Sequence, residues 1–233
     1  MNNSDFSFYG WVLRLGKVSY ERTLGWQRSL VKLRKDGMAR DTLILVEHPP
    51  VITVGKDGHK ENYESLDIKP FFIERGGDVT YHGPGQLVAY FICNLSRRGK
   101  DMHLFMDKIQ ETIIEALKEY GIEARKDSDN TGVWVDDKKI ASVGVAVKNW
   151  ITFHGVAINI NTDLTEFTKI NPCGLSAEVM TSLQKLTGKK VPLDEFGAIL
   201  LQKFTKIFKT AFYPVLLEEI AEDIESQSGS NVI

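Results

Sequence analysis

Apolar residues recur along this chain at two different periods, and the alternation of those periods marks out its elements. Between residues 19 and 36, Leu24, Leu30, Val31 and Leu33 recur at roughly helical spacing, and Gly37 stands where a helix C-cap belongs, so a first helix is predicted there. Two β-rich runs follow, Thr42-Leu43-Ile44-Leu45-Val46 and Val51-Ile52-Thr53-Val54. The intervening Glu47-His48-Pro49-Pro50 forbids one continuous central strand, which gives strand, corner, strand. Residues 86–93 are too apolar for a strand with one solvated face and read as a buried one. Phe105, Ile109, Ile113, Ile114, Leu117 and Tyr120 then recur at three and four residues up to Gly121, a long amphipathic helix with a glycine stop.

Three further strand candidates, 132–135, 140–147 after the turn Asp136-Asp137-Lys138, and 150–160, predict a meander. Helical spacing resumes over 177–186 and, after Pro192 in a first-turn position, over 193–212. The order of elements predicts an α/β chain of the α+β type, a mixed sheet with packed helices rather than a doubly wound parallel sheet. No repeat or linker divides it, so one domain over 1–217 is expected. From Glu218 the chain turns acidic and ends Ser226-Gln227-Ser228-Gly229-Ser230-Asn231, which reads as a frayed tail over 218–233.

Charge and cysteine content narrow the function. With 29 Lys+Arg against 31 Asp+Glu the net charge is -2, so the balance argues against nucleic acid and against an anionic membrane surface. No 18-residue apolar run offers a membrane span, and the first residues lack the basic and apolar regions of a signal peptide. Two cysteines, Cys93 and Cys173, suit reduced thiols and a cytoplasmic location rather than a disulfide framework.

Three places could carry chemistry. The segment from Arg75 to Gly85, with glycines at 76, 77, 83 and 85, lets backbone approach a ligand but matches neither a Walker A loop nor a dinucleotide fingerprint. A ligand loop and a structural turn both remain open for it. Arg75 and His82 flank it, and together they suit a carbonyl or an anion. His154 shares the ambiguity of a lone histidine, and His48, His59 and His103 have no zinc-like spacing, so no metal site is expected. Cys173, between Pro172 and Gly174, sits in a turn, whereas Cys93 lies in an apolar strand and reads as a small buried hydrophobe. Lys138 and Lys139 are cations that could favour a thiolate. Lys139, entering a strand, would be aimed by the sheet, and Lys138 reads as a solvated turn lysine.

Taken together, Glu47-His48-Pro49-Pro50-Val51 with Thr53 and Gly55, the segment from Arg75 to Gln86, Lys139-Ile140-Ala141-Ser142-Val143-Gly144, His154-Gly155-Val156-Ala157-Ile158-Asn159 and Pro172-Cys173-Gly174-Leu175 resemble the motifs of the lipoyl(octanoyl) transferases, in family order. The resemblance implies the fold shared with biotin and lipoate protein ligases. It implies octanoyl transfer from acyl carrier protein to a lysine of lipoyl domains, those of 2-oxoacid dehydrogenase complexes and the glycine cleavage H protein. On it, Cys173 is the acyl-thioester nucleophile and Lys139 lowers its pKa. Arg75, Gly76, Gly77, Asp78, Val79, Thr80, Tyr81 and His82, then Ser142, Val143 and Gly144, then Gly155, Val156 and Ala157 line the substrate.

The acyl group would arrive on the carrier's phosphopantetheine, with no cofactor and no ATP, because one thioester is exchanged for another. Amides near Gly76, Gly77 or Ser142 to Gly144 would serve as an oxyanion site, and Tyr81, Val143 and Val156 as walls for the tail. An ATP-using lipoate or biotin ligase, an amidotransferase of the same fold and a non-enzymatic acyl-binding module are the rivals. Cys173 separates the first, since adenylation needs no thiol. Arg97, Arg98 and Lys100 form a basic cluster that is either a carrier-docking patch or, as short charge runs usually are, a solvated loop.

Overall fold

A computed structural model describes residues 6–63, 69–171 and 176–228. In chain order the elements are β1 (Phe8–Lys17), α1 (Tyr20–Lys35), β2 (Asp41–Glu47), β3 (Val51–Val54), β4 (Phe71–Phe72), β5 (Val79–His82), β6 (Gln86–Ile92), α2 (Met102–Lys118), β7 (Arg125–Lys126), β8 (Gly132–Val135), β9 (Lys138–Lys148), β10 (Ile151–Asn159), α3 (Leu183–Thr187), α4 (Leu193–Ile207), β11 (Thr210–Pro214) and α5 (Leu217–Ser228). Eight strands pair in the order β11-β1-β2-β6-β10-β9-β8-β7, and a small sheet runs β4-β3-β5. β1 is parallel to both β2 and β11, and the remaining pairs of the large sheet are antiparallel, so the sheet is mixed as expected.

Local chemistry sets the helix starts. Ser19 and Asp101 cap α1 and α2 with side-chain oxygens that accept from Arg22 N and Leu104 N. β6 and β10 are buried along their whole length, which is why their sequences lack polar alternation. One sheet face packs α2 and α4 through Phe91, Phe105, Ile109 and Phe204; the other packs α1 and α5 through Leu30, Tyr90, Ile220 and Ile224. Among the described residues no helix is long and apolar enough to cross a membrane.

Four readings change. β1 was not anticipated, and its partner β11 occupies residues expected to prolong α4: that helix ends at Ile207, and Lys209 at φ 49 turns the chain into a strand. Phe204, Phe208 and Phe212 keep a spacing of four across the change, which imitates a continuing helix. Residues 177–186 are not one helix either; a short 3-10 turn at Ala177–Val179 precedes a bridge at Met180, and Ser182 caps the short α3. Over 218–228, the part of the expected frayed tail that is described, α5 buries Ile220 and Ile224, a pair one helical turn apart inside acidic sequence; residues 229–233 of that tail lie outside the described residues.

Of the basic cluster, Arg97 and Lys100 are exposed, as both readings require, and Arg98 departs from them. The Arg98 side chain is largely buried and donates from Nη2 and Nε to Asp41 Oδ2 at 2.6 and 3.0 Å, while Arg34 Nε meets Asp41 Oδ1 at 2.7 Å. Arg98 also donates to Thr210 Oγ1 and lies 3.9 Å over the Phe8 ring. It ties β1, β2 and β11 together and is neither a docking residue nor a solvated one. Removing the shared anion leaves two largely buried guanidinium groups unpaired, so Asp41→Ala is expected to cost about 3–5 kcal/mol. A urea denaturation midpoint measures it, and a change below about 1 kcal/mol, as for a surface pair, contradicts this role.

Candidate active site

A cavity of about 1000 Å³ opens between the small sheet, the middle of β9 and β10, and the start of α2, at the upper end of the size range for small-molecule sites. Its lining brings together Lys139, Ser142, Val143 and Gly144 from β9, Gly155, Val156 and Ala157 from β10, and Arg75, Gly76, Gly77, Asp78, Thr80 and His82 from the glycine-rich segment. Val79 and Tyr81 do not join them. Side chains of a strand alternate, so when Thr80 and His82 of β5 face the cavity, Val79 and Tyr81 face the other way. They pack with Ile52, Val54, Phe167 and Met180, and Tyr81 meets the Phe167 ring edge-on at 5.5 Å. Tyr81 is therefore not a wall of the tail. Cys173 lies outside the described residues.

The loop is held by its own polar groups. Arg75 is buried; its Nη2 donates to Thr53 O at 2.9 Å and Thr53 Oγ1 at 3.1 Å, and its Nη1 to Gly76 O at 3.1 Å. Its stem rests on Gly144, where a Cβ would stand 2.8 Å from Arg75 Cδ. Asp78 accepts from His59 N, Val79 N and Asn62 Nδ2, so it organises the loop. Two of the amides considered for an oxyanion are committed: Gly76 N–H donates to Val145 O, and Gly77 N–H to Asp57 Oδ2 at 2.8 Å. Ser142 and Gly144 lie within the ladder between β9 and β10.

A polar line crosses beneath the cavity. His82 Nδ1–H donates to Gln86 Oε1 at 2.8 Å; Gln86 Nε2 donates to Asn159 Oδ1 at 3.0 Å; Asn159 Nδ2 donates to Thr181 O at 3.1 Å. Thr181 N–H in turn donates to the carbonyl of Lys139 at 3.0 Å, and Met180 forms a parallel bridge with Lys139. Lys139 is 4 % exposed, with Nζ 5.5 Å from the centre of the Trp134 ring, whereas Lys138 is partly exposed beside Asp137.

A family model for the lipoyl protein ligase A/B catalytic domain matches residues 19–205. The chain belongs to that family. An octanoyltransferase of Caldicellulosiruptor saccharolyticus is 45 % identical over 223 residues, covering 92 % of this chain and 95 % of the relative. One of Geobacter metallireducens is 41 % identical, covering 88 % and 92 %. By this kinship the chain is an acyltransferase. Among solved structures, a lipoate-protein ligase A bound with ATP aligns with a TM-score of 0.77 at 16 % identity, covering 95 % of this chain and 93 % of that one. A biotin protein ligase from Aquifex aeolicus aligns with a TM-score of 0.51 at 16 % identity, covering 94 % and 78 %. The ligase fold expected from the motifs is the one observed.

In this member of the lipoyl protein ligase A/B family the buried histidines are neutral. Burial first, and then the neighbouring His48, lower His82 to about 3; burial lowers His154 to about 4 against the opposing Glu74, and burial lowers His48. His48 Nδ1–H donates to Val18 O at 2.7 Å, which leaves Nε2 to accept from Tyr90 OH at 2.8 Å. The lysine and arginine side chains lining the cavity are Lys139 and Arg75. Cys93 is buried among apolar side chains that push its thiol up, the environment of an inert cysteine.

Sequence reasoning gave no role to Gln86, Asn159, His48, Tyr90, Gln110 or Gly132. The usable signal was a polar residue at the end of an apolar run, since a carboxamide in a buried strand must find partners. The histidines also set a pH dependence. Each is neutral when folded and takes up a proton when unfolded below its ordinary 6.5, so its contribution is complete above that value and is lost as pH falls toward about 3 for His82. Between about pH 4 and 6, His82→Gln is expected to flatten the fall of unfolding free energy by about 1.4 kcal/mol per pH unit. Denaturant titrations at several pH values check this, and an unchanged slope contradicts a neutral His82.

Proposed function

We propose that this acyltransferase carries an octanoyl group from acyl carrier protein to a lysine of a lipoyl domain, through a thioester on Cys173 with Lys139 as its proton partner. The octanoyltransferase relatives over nine-tenths of the chain support the reaction. One observation carries the pairing: Met180, seven residues after Cys173, bridges Lys139 in parallel register, and Thr181 N–H bonds its carbonyl. The chain leaving the cysteine segment is thereby fastened to the strand that presents the lysine. Solved relatives include a bipartite lipoate protein ligase studied with its E2 lipoyl domain, which supports a lipoyl domain as acceptor.

The chemistry balances in two steps. The Cys173 thiolate adds to the octanoyl thioester carbonyl, and the carrier's phosphopantetheine thiolate leaves and takes a proton from Lys139. The neutral amine of the acceptor lysine then adds to the acyl-cysteine, the Cys173 thiolate leaves, and the amine's proton passes to Lys139 as the amide forms. Neither ATP nor a resident cofactor enters, and a reducing cytoplasm keeps the thiol available. Ile73, Val88, Val143 and Val156 supply the apolar surface for the tail.

After incubation with octanoyl carrier protein, intact mass should show one hydroxylamine-labile octanoyl adduct on the wild type and none on Cys173→Ser. An adduct that survives in the variant removes Cys173 as nucleophile. Octanoylated lipoyl domain should form without ATP, and product that appears only with ATP would move the chain to the ligases.

A further inference from the structure

A buried lysine is useful to a neighbouring thiol only while its flexible four-carbon stem is held, because Lys side chains carry large rotamer entropy. The surroundings of Lys139 show what holds it. Beside it the ladder between β8 and β9 slips: Val133 pairs with Ala141 but Trp134 pairs with Lys139, so Ile140 is the extra residue of a bulge. Bulges re-aim the side chains next to them. Opposite Ser142 stands Gly132, at φ 147, a conformation that side chains rarely adopt. A Cβ there would lie 2.5 Å from Lys139 Cε and 3.3 Å from Nζ, so the stem of Lys139 runs directly over the bare Cα. Gly132 N–H donates to Gln110 Oε1 at 3.3 Å, and Gln110, from α2, also lines the cavity.

We infer that Gly132 is a positioning residue for Lys139: its missing side chain is the channel through which the lysine reaches the cavity, and Gln110 fixes the wall of that channel. The inference rests on the proposed role of Lys139. Non-bonded carbons settle at roughly 3.5–4.0 Å, so a methyl group at 132 displaces Cε by about 1 Å or more. A displacement of that size can cost about 100-fold in rate.

Alanine at 132 also strains the backbone and approaches Ala141 O at 2.6 Å, whatever stands at 139. A double-mutant cycle separates these effects, because only the clash with the lysine disappears in Lys139→Ala. Wild type, Lys139→Ala, Gly132→Ala and the double variant are compared by the pH dependence of Cys173 alkylation with iodoacetamide and by kcat and KM for octanoyl transfer. Gly132→Ala is expected to move the thiol titration upward in the same direction as Lys139→Ala. It should lower kcat by about 10- to 100-fold with KM for the octanoyl carrier within about two-fold. Added to Lys139→Ala, it should change alkylation by less than about two-fold.

A Gly132→Ala profile that superimposes on the wild type while Lys139→Ala shifts overturns the inference and leaves the role of Lys139 standing. An equal shift in both backgrounds overturns it too, since the effect then does not pass through the lysine. If Lys139→Ala leaves the titration unmoved, the role of Lys139 fails and the inference with it. Should Gly132→Ala not fold, Gln110→Met, which removes the acceptor for the Gly132 amide, must raise the thiol titration; an unmoved profile rejects the inference.

Discussion

The carboxamide of Asn159 is the point at which the parts of the site are tied. It accepts from Gln86 of β6 with its oxygen and donates to the carbonyl of Thr181 with its nitrogen, fully buried at the end of β10. Through Gln86 it fixes the His82 ring, and through Thr181 it fixes the backbone that pairs with Lys139. A buried amide with both ends engaged is stabilising only as a whole, because losing one partner strands the other at about 1–3 kcal/mol. The same satisfaction requirement makes the arrangement specific: few residues other than asparagine offer an acceptor and a donor on so short a stem.

Charge in the cavity is allotted by burial. Protonated His82 and His154 would be repelled by the Arg75 guanidinium, and desolvation removes that conflict by keeping both, and His48 beside His82, neutral. Arg75 is occupied with the Thr53 backbone and hydroxyl, so it serves the shape of the loop as well as its potential. Lys139, on a strand beside a bulge, is the cation that the sheet itself aims.

Long periodic elements were legible because their patterns are set by packing. The spacing from Phe105 to Tyr120 and the unbroken apolar run of β6 correspond directly to α2 and a central strand. What was missed depends on pairing across the chain. Phe212 of β11 continues the helical spacing of Phe204 and Phe208, and the segment is a strand through its partnership with β1. Acidic composition concealed α5, whose two isoleucines suffice because α1 supplies the rest of the apolar surface. At the site, motif continuity swept Val79 and Tyr81 in with their neighbours, whereas the two-residue period of β5 sends them to a different cluster. Gly132 was invisible for a different reason: its importance is an absence of atoms beside a side chain seven residues away.

The pairing of β1 with β11 joins Phe8 to Thr210 and Val12 to Pro214. During synthesis β1 gains β2 early, but its other edge stays bare until residues 210–214 have left the ribosome. A strand edge left open that long is a template for intermolecular pairing. Slow translation or a truncated product should therefore favour aggregation through β1, even though the finished site lies on the far side of the sheet order.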